Sequence, residues 1–302
     1  MARPDRVTMD VRPYRGWDDL RAIQAVCSSM LQAAPGRAVA HPGDMAWWVG
    51  WPPSPPEALA ERVLLWEDGG EVAGFAAFDP EGQLSVFVRP ARTDTDAAVD
   101  FEDVVLAWAS RGGVPVQWTE FEDETAAVER WAARGFRPTE VGYLNLVRAL
   151  DDASDRGTPD DRVAPVGDDD VAERAAIMHA AFENPDPLAD YVADYTVFRA
   201  SPAYPRGWDL LLRDADGRAA ACCLAWIDPV SRVATFEPVA VHPDLHRRGY
   251  GGALLRGGLH RFAAAGMTYA IIGVEVDNPG AEALYRSVGF RPDRLLRGFE
   301  RP

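Results

Sequence analysis

The sequence predicts an α/β fold built from two similar domains, each a mixed sheet flanked by helices. The chain has 302 residues, about the length of two ordinary domains. Related segments recur in the same order about 150 residues apart, for example from Val11 to Val163 and from Leu64 to Leu210. In each copy, segments with the alternation of strands are followed by segments with helical periodicity, which indicates a sheet with helices on both faces.

Each copy begins with a short strand and an amphipathic helix, predicted from "VRPYRGWDDLRAIQAVC" and "VAPVGDDDVAERAAIMHAAF". Hairpins around Asp/Gly turns follow in "LLWEDGGEVAGFAAFDP" and "LLLRDADGRAAACCLAWIDP". A further strand ends in "FVRP" or "VAVHP", and the last helix lies in "AAVERWAARGFRP" or "GAEALYRSVGFRP". In the second copy, the helix in "GGALLRGGLHRFAAAG" places Leu255, Leu259 and Phe262 on one face.

A change of composition separates the two copies. The segment "ALDDASDRGTPDDRVAP" is acidic, contains Gly and Pro, and has no apolar periodicity, which is typical of an exposed linker. We therefore predict a first domain over residues 1–150, an acidic linker over 151–161 and a second domain over 162–302.

The composition excludes several classes of protein. The formal net charge is -16 and all 31 basic residues are arginine. A P-loop and a Schiff-base enzyme both require lysine, so both are excluded. The acidic balance argues against nucleic-acid binding. It is compatible with a small cationic substrate, although acidity more often serves solubility alone.

The same composition indicates a cytoplasmic protein that binds no membrane. Cys27, Cys222 and Cys223 are too few and too closely placed for a disulfide framework, and they suit a reducing compartment. No apolar run reaches the roughly 18 residues of a membrane span. The charged N-terminal segment lacks the apolar core of a signal peptide.

A glycine-rich turn in the second copy, "VAVHPDLHRRGYGGALL", predicts an anion site. Gly249, Gly251 and Gly252 fall where a strand has ended and a helix begins, so the backbone can approach a ligand closely. The first turn of a helix offers unpaired amides and the positive end of its dipole. Arg247 and Arg248 add charge there, so a diphosphate is the ligand that fits best. A tight turn without a ligand is the alternative.

A dinucleotide-binding fold does not fit this turn. It requires G-x-G-x-x-G directly after the strand. Here seven residues separate Val241 from Gly249, and the pattern is G-x-G-G.

Together with "DNPGAEALYRSVGF", the turn resembles the two central motifs of the GNAT superfamily of acetyl-CoA-dependent N-acetyltransferases. The family's V-x-P and [Q/R]-x-x-G-x-[G/A] match from Val241 to Gly251, with His246 in place of the leading Gln or Arg. The family's N-x-x-A-x-x-L-Y-x-x-x-G-F matches at every fixed position from Asn278 to Phe290. The resemblance implies that each domain is a mostly antiparallel twisted sheet, with acetyl-CoA as the co-substrate of the second.

The first copy resembles a GNAT domain without a cofactor loop. After Pro90 comes "ARTDTDAAVD", which has no glycine and places acids where phosphates would lie. Trp131 stands in the position of Tyr285, and Glu124 in that of Asn278.

The resemblance implies direct transfer of an acetyl group from acetyl-CoA to a primary amine in a ternary complex. Tyr285 holds the family's acid position and is the predicted proton donor to the departing thiolate. A backbone amide of Val239–Val241 is the predicted oxyanion donor. The expected cofactor-binding residues are Val239, Ala240, Val241, Arg247, Arg248, Gly249, Tyr250, Gly251, Gly252, Asn278, Ala281 and Tyr285.

Glu237 is the predicted general base. Strand alternation places it on the same face as Val239 and Val241, although Pro238 indicates an irregular strand. Glu275 and Asp277, at the end of the next strand, are the alternatives.

Other features leave alternatives open. His242 and His246 have no further ligand cluster nearby, so we predict no metal site. The apolar run around Cys222 and Cys223 favours core packing over an acyl-cysteine intermediate. The Trp-rich "MAWWVGWPPSPP" binds an apolar ligand or covers the domain interface.

The second function class is a silent acetyl-CoA-binding sensor or scaffold, and a larger acyl group is an alternative within the first class. The sequence does not identify the amine acceptor. Its pocket is expected in "ENPDPLADYVADYTVFRASPAYPRGW". The expected oligomeric state is a monomer or a homodimer.

Overall fold

The computed structural model describes residues 9–79, 82–93, 95–112, 116–150 and 162–301. The predicted linker at 151–161 lies outside the described residues. The first half contains β1 (Asp10–Pro13), α1 (Trp17–Ala33), α2 (Pro42–Gly50), α3 (Pro56–Arg62), β2 (Val63–Asp68), β3 (Glu71–Phe78), β4 (Gln83–Val88), α4 (Asp96–Ala109), β5 (Gln117–Phe121), α5 (Thr125–Ala133) and β6 (Arg137–Ala149). The second contains β7 (Val163–Pro165), α6 (Val171–Ala181), α7 (Leu188–Ala200), β8 (Asp209–Arg213), β9 (Ala219–Asp228), β10 (Val233–Val241), α8 (Tyr250–Ala264), β11 (Tyr269–Glu275), α9 (Pro279–Ser287) and β12 (Arg291–Glu300).

All twelve of these strands form one sheet in the order β1-β2-β3-β4-β5-β12-β6-β11-β10-β9-β8-β7. The pairs β4–β5 and β10–β11 are parallel, and the other neighbouring pairs are antiparallel. Read inward from either edge, the strands follow the same order, as an internal duplication requires. The predicted α/β fold with a mixed, mostly antiparallel sheet is confirmed.

The two halves exchange their last strands at the centre of the sheet. β6 of the first half pairs with β11 of the second, from Tyr269↔Ala149 to Glu275↔Tyr143. β12 of the second half lies between β5 and β6. Backbone hydrogen bonds therefore join the two copies, and the predicted boundaries at 150 and 162 mark the sequence repeat within one continuous sheet.

The Trp-rich segment lies in the core that both halves share. Trp47 stacks on Trp51 with ring centroids 5.3 Å apart, and Trp51 meets the edge of Tyr191 of the second half at 5.0 Å. Gly50 lets α2 approach closely, because a Cβ there would lie 2.8 Å from Phe198. Of the two alternatives for this segment, the structure supports cover of the interface.

Helix α8 covers the other face of the second half. Leu255, Leu259 and Phe262 are buried in one cluster, which confirms the predicted apolar face. Gly258 brings the helix onto the sheet, because a Cβ there would lie 2.4 Å from Phe236. Among the described helices, none is both long and apolar enough to cross a membrane.

Candidate active site

A V-shaped gap opens between β10 and β11. The two parallel strands pair only over Val233–Thr235 and Tyr269–Ile271. β10 then carries a bulge in which Glu237 and Pro238 stand opposite Leu224 alone. β11 continues straight, paired to β6 as far as Glu275. The ends of the two strands therefore separate, and one edge of each faces the gap.

Two backbone amides of β10 point into this gap. The N–H of His242 donates to the carbonyl of Ala220 on β9 at 2.9 Å. Because amides alternate along a strand, the N–H groups of Val241 and Val239 point the opposite way, toward β11. The carbonyl of Val241 accepts a hydrogen bond from His246 Nε2 at 3.0 Å.

The predicted glycine turn begins α8 beside the gap. Gly249 has φ 84°, a left-handed conformation that favours glycine, and precedes Tyr250, the first residue of the helix. The first helical bond runs from the N–H of Ala253 to the carbonyl of Gly249 at 3.0 Å. The amides of Gly251 and Gly252 precede that bond, so the helix supplies them with no carbonyl acceptor.

Gly251 sets the position of this helix start. A Cβ there would lie 2.9 Å from Leu284 of α9 and 3.2 Å from Val241 of β10. Only a hydrogen side chain allows the first turn of α8 to lie this close to both elements. Gly252 differs, because its Cβ would meet only the flexible guanidinium of Arg256, at 3.2 Å.

Three guanidinium groups surround the turn. Arg247 and Arg248, which the sequence predicted to add charge here, are exposed, and Arg247 has φ 59°. Arg256 is a third cation that the motif did not indicate. Its position could have been inferred from its spacing to Gly252. Arg256 lies four residues after Gly252, and a side chain on a helix points back toward the residue four positions before it. This positive turn suits an anion in a chain of net charge -16.

The corresponding helix start in the first half is built differently. The side chain of Thr95 accepts a hydrogen bond from the N–H of Ala98 at 3.2 Å, and Asp96 places an acid in the first turn. Trp131, at the position of Tyr285, is fully buried with its ring centroid 3.7 Å from that of Trp118.

Helix α9 brings Tyr285 to the gap. The side chain of Asn278 caps the helix by accepting from the N–H of Ala281 at 3.0 Å, so these two residues orient α9. Tyr285 is 7% exposed. Burial raises the pKa of its phenol well above the usual range, and the Glu237 carboxylate raises that pKa further. The phenol therefore keeps its proton at neutral pH, and the two predicted catalytic residues share one electrostatic environment.

The bulge corrects the predicted parity of β10. The alternation of side chains between the two faces of β10 does not continue through Glu237. Phe236 and Val239 are three residues apart, yet both contact the core beneath α8. Glu237 is partly buried, and its carbonyl accepts the indole N–H of Trp226 at 2.8 Å. Ala240 belongs to the opposite core, and its amide points to β9. Two of the three strand residues predicted to bind the cofactor therefore direct their amides into the gap.

The remaining candidates are two carboxylates and two thiols. Glu275 and Asp277 are exposed at the end of β11. Cys222 and Cys223 are fully buried, which raises the pKa of Cys222 to about 12 and that of Cys223 well above its usual value. Both thiols stay protonated at neutral pH, as expected of core residues.

An α/β sheet whose parallel strands part beside a glycine-rich helix start is consistent with an acyltransferase. The chain belongs to the GNAT family of acetyltransferases and is an N-acetyltransferase. The sequence profile of the Acetyltransferase (GNAT) family matches residues 175–290. The predicted family is therefore confirmed, and enzymes of this family use acetyl-CoA.

Two relatives and one solved structure show the extent of the similarity. Mycothiol acetyltransferase of Clavibacter michiganensis subsp. michiganensis (strain NCPPB 382) is 32% identical over 240 residues, 76% of this chain and 76% of that protein. Mycothiol acetyltransferase of Nocardioides sp. (strain ATCC BAA-499 / JS614) is 25% identical over 289 residues, 90% of this chain and 94% of that protein. The structure of a tandem GNAT protein from the clavulanic acid biosynthesis pathway has a TM-score of 0.64 at 15% identity and covers 97% of this chain and 98% of that one. This last likeness concerns the fold alone.

Proposed function

We propose that the protein transfers the acetyl group of acetyl-CoA directly to the primary amine of a small molecule in a ternary complex. The observation that carries this proposal is the gap between β10 and β11, where Val239 and Val241 pack in the same cluster as the buried Tyr285. The acceptor that we propose is the form of mycothiol that lacks its acetyl group. Its support is the similarity to mycothiol acetyltransferases along most of the chain.

The turn fits the diphosphate of acetyl-CoA. The amides of Gly251 and Gly252 are oriented for phosphate oxygens, and the guanidinium groups of Arg247, Arg248 and Arg256 supply charge. The gap-facing edge of β10 offers hydrogen bonds to the extended arm that carries the thioester. A side chain at Gly251 would obstruct the close approach on which this cradle depends.

The residues around the gap can perform each proton transfer. Glu237, directly or through water, takes a proton from the substrate ammonium, and the neutral nitrogen attacks the thioester carbon. An amide of Val239 or Val241 donates to the oxyanion. Glu237 passes this first proton to solvent. The C–S bond then breaks, Tyr285 gives its proton to the departing sulfur, and the nitrogen releases its surplus proton to the regenerated Glu237 carboxylate. Solvent restores the proton of Tyr285, so the net result is one N–C bond formed and one thiol released.

A thiol-release assay tests the proposal. Acetyl-CoA is incubated with the deacetylated mycothiol precursor and with control amines, amino acids and peptides, and free thiol is measured against time. We expect release that depends on the precursor and mass-spectrometric gain of one acetyl group. Calorimetric binding of acetyl-CoA without transfer to any amine would contradict catalysis and favour a sensor. Transfer to other amines alone would contradict the acceptor.

A further inference from the structure

We infer that the first half of the chain positions the general base of the second half, through Trp226. This inference rests on the proposed function, because it assigns an indirect role in the same reaction. Trp226 lies on β9 and is 5% exposed. Its indole N–H donates to the carbonyl of Glu237 at 2.8 Å. That carbonyl belongs to the bulge, where β10 has lost its regular pairing to β9. The indole therefore holds the peptide unit that carries Glu237 at the irregular point of the strand.

Helix α2 of the first half holds the indole in place. A Cβ on Gly43 would lie 2.3 Å from Cγ and 2.4 Å from Cβ of Trp226. The backbone of α2 thus lies directly against the root of the tryptophan side chain, and nothing larger than hydrogen fits between them. Since Gly43 and Trp226 belong to different halves, this contact is the physical link between the first half and the base.

His41 anchors the same helix to the beginning of β10. Its Nδ1 accepts from the N–H of Gly43 at 2.9 Å, so Nε2 carries the proton and donates to the carbonyl of Val233 at 3.1 Å. His41 is fully buried. Helix α2 and its cap His41 therefore contact β10 at two points. His41 contacts Val233 at the beginning of the strand, and Trp226 links the helix to Glu237 within the bulge. These contacts set where the Glu237 carboxyl lies relative to Tyr285.

Trp226 and Gly43 are accordingly positioning residues. They need not touch either substrate, and their effect on the rate must pass through Glu237. A first half without a glycine turn can thus contribute to turnover by geometry alone. If the first half only shielded the interface, its contacts with Trp226 and Val233 would have no effect on turnover.

A double-mutant cycle between Trp226→Phe and Glu237→Gln tests this role. Phenylalanine keeps most of the ring packing and removes the N–H. A general base commonly contributes 10²–10⁴-fold, so partial misplacement should lower kcat by about tenfold. KM for acetyl-CoA should change by less than about twofold, because the turn at α8 is untouched. In the Glu237→Gln background, Trp226→Phe should lower kcat no further, because the group through which it acts is already removed.

Two additional variants keep the test decisive. Trp66→Phe is the matched control, since this buried ring packs on Phe101 at 5.6 Å within the separate core of the first half. It should leave kcat unchanged. Gly43→Ala should give the same kcat loss and the same lack of additivity as Trp226→Phe. Thermal unfolding of each variant identifies any that fail to fold. If Trp226→Phe or Gly43→Ala fails to fold, the other of the two decides the test.

The outcomes separate this inference from the proposed function. A wild-type kcat in Trp226→Phe, or full additivity with Glu237→Gln, overturns the positioning role while leaving the transferase intact. Wild-type protein that releases no thiol with any amine overturns the proposed function, and this inference with it.

Discussion

Substituting Gly251 by alanine tests whether the close approach of α8 builds the acetyl-CoA site. The new Cβ would lie 2.9 Å from Leu284 and 3.2 Å from Val241, against an ordinary carbon–carbon separation of about 3.5–4.0 Å. The Leu284 side chain, α9 or the start of α8 must therefore move by roughly 0.6 Å or more. Overpacking of this kind costs about 1–3 kcal/mol. The higher helix propensity of alanine offsets about 1 kcal/mol of that cost.

We therefore expect only modest destabilisation of Gly251→Ala but a clear loss of cofactor affinity. A charge-assisted hydrogen bond contributes about 1.5–3 kcal/mol, so a shift that weakens the bonds of the two amides by roughly 0.7–1.4 kcal/mol in total should raise the Kd for acetyl-CoA about three- to tenfold. Isothermal titration calorimetry measures this Kd. Gly280→Ala on α9 is the matched control, because its Cβ would meet only Asn278 Oδ1, at an ordinary contact distance of 3.8 Å. Equal Kd values for wild type and Gly251→Ala would refute the reasoning.

Three further predictions concern single side chains. Tyr285→Phe should lower kcat severalfold or more with an unchanged Kd for acetyl-CoA, since only the proton donor is lost. Stopped-flow thiol release measures kcat and calorimetry measures the Kd. An unchanged kcat would show that Tyr285 is not the acid. Arg256→Ala should raise the Kd for acetyl-CoA about threefold at low salt and less at high salt, because screening weakens the interactions of exposed charges. The control is Arg21→Ala, which removes an exposed arginine on α1. An increase in Kd that does not depend on salt would argue against a charge contact. Burial raises the pKa of Glu120 to about 7, above its ordinary value of 4.5. The folded protein then holds a proton that the unfolded chain releases, so the free energy of unfolding should fall by up to about 3 kcal/mol as pH rises from 5 to 8. Burial also raises the pKa of Asp44 to about 7, so urea unfolding at both pH values should show a smaller loss in Glu120→Gln than in wild type, and equal losses would contradict the assignment.

The sequence predicted the parts of the molecule that local chemistry determines. The glycine turn and the Asn278 cap were identifiable because helix starts depend on residues within one turn of each other. The apolar face of α8 was identifiable for the same reason. Each of these features is a consequence of conformational preference or periodicity over a few residues.

Features set by distant partners could not be predicted in the same way. The side chains of β6 alternate between the two faces of the sheet whether its neighbour is β5 or β11. This alternation therefore does not specify the strand exchange. The position of Glu237 depends on a bulge opposite Leu224, and Pro238 indicated irregularity without giving its register. The contact of Gly43 with Trp226 joins residues 183 positions apart (226 minus 43), and nothing near either residue points to the other.

The strand exchange has a consequence for any attempt to divide this enzyme. A fragment limited to residues 162–302 would lose β6, leaving seven residues of β11 with an open backbone edge next to the catalytic gap. Such an edge attracts a strand from another molecule. The excised fragment should therefore self-associate or take up a separately expressed first half, and fission of the gene would yield a two-chain enzyme that reassembles rather than an independent smaller one.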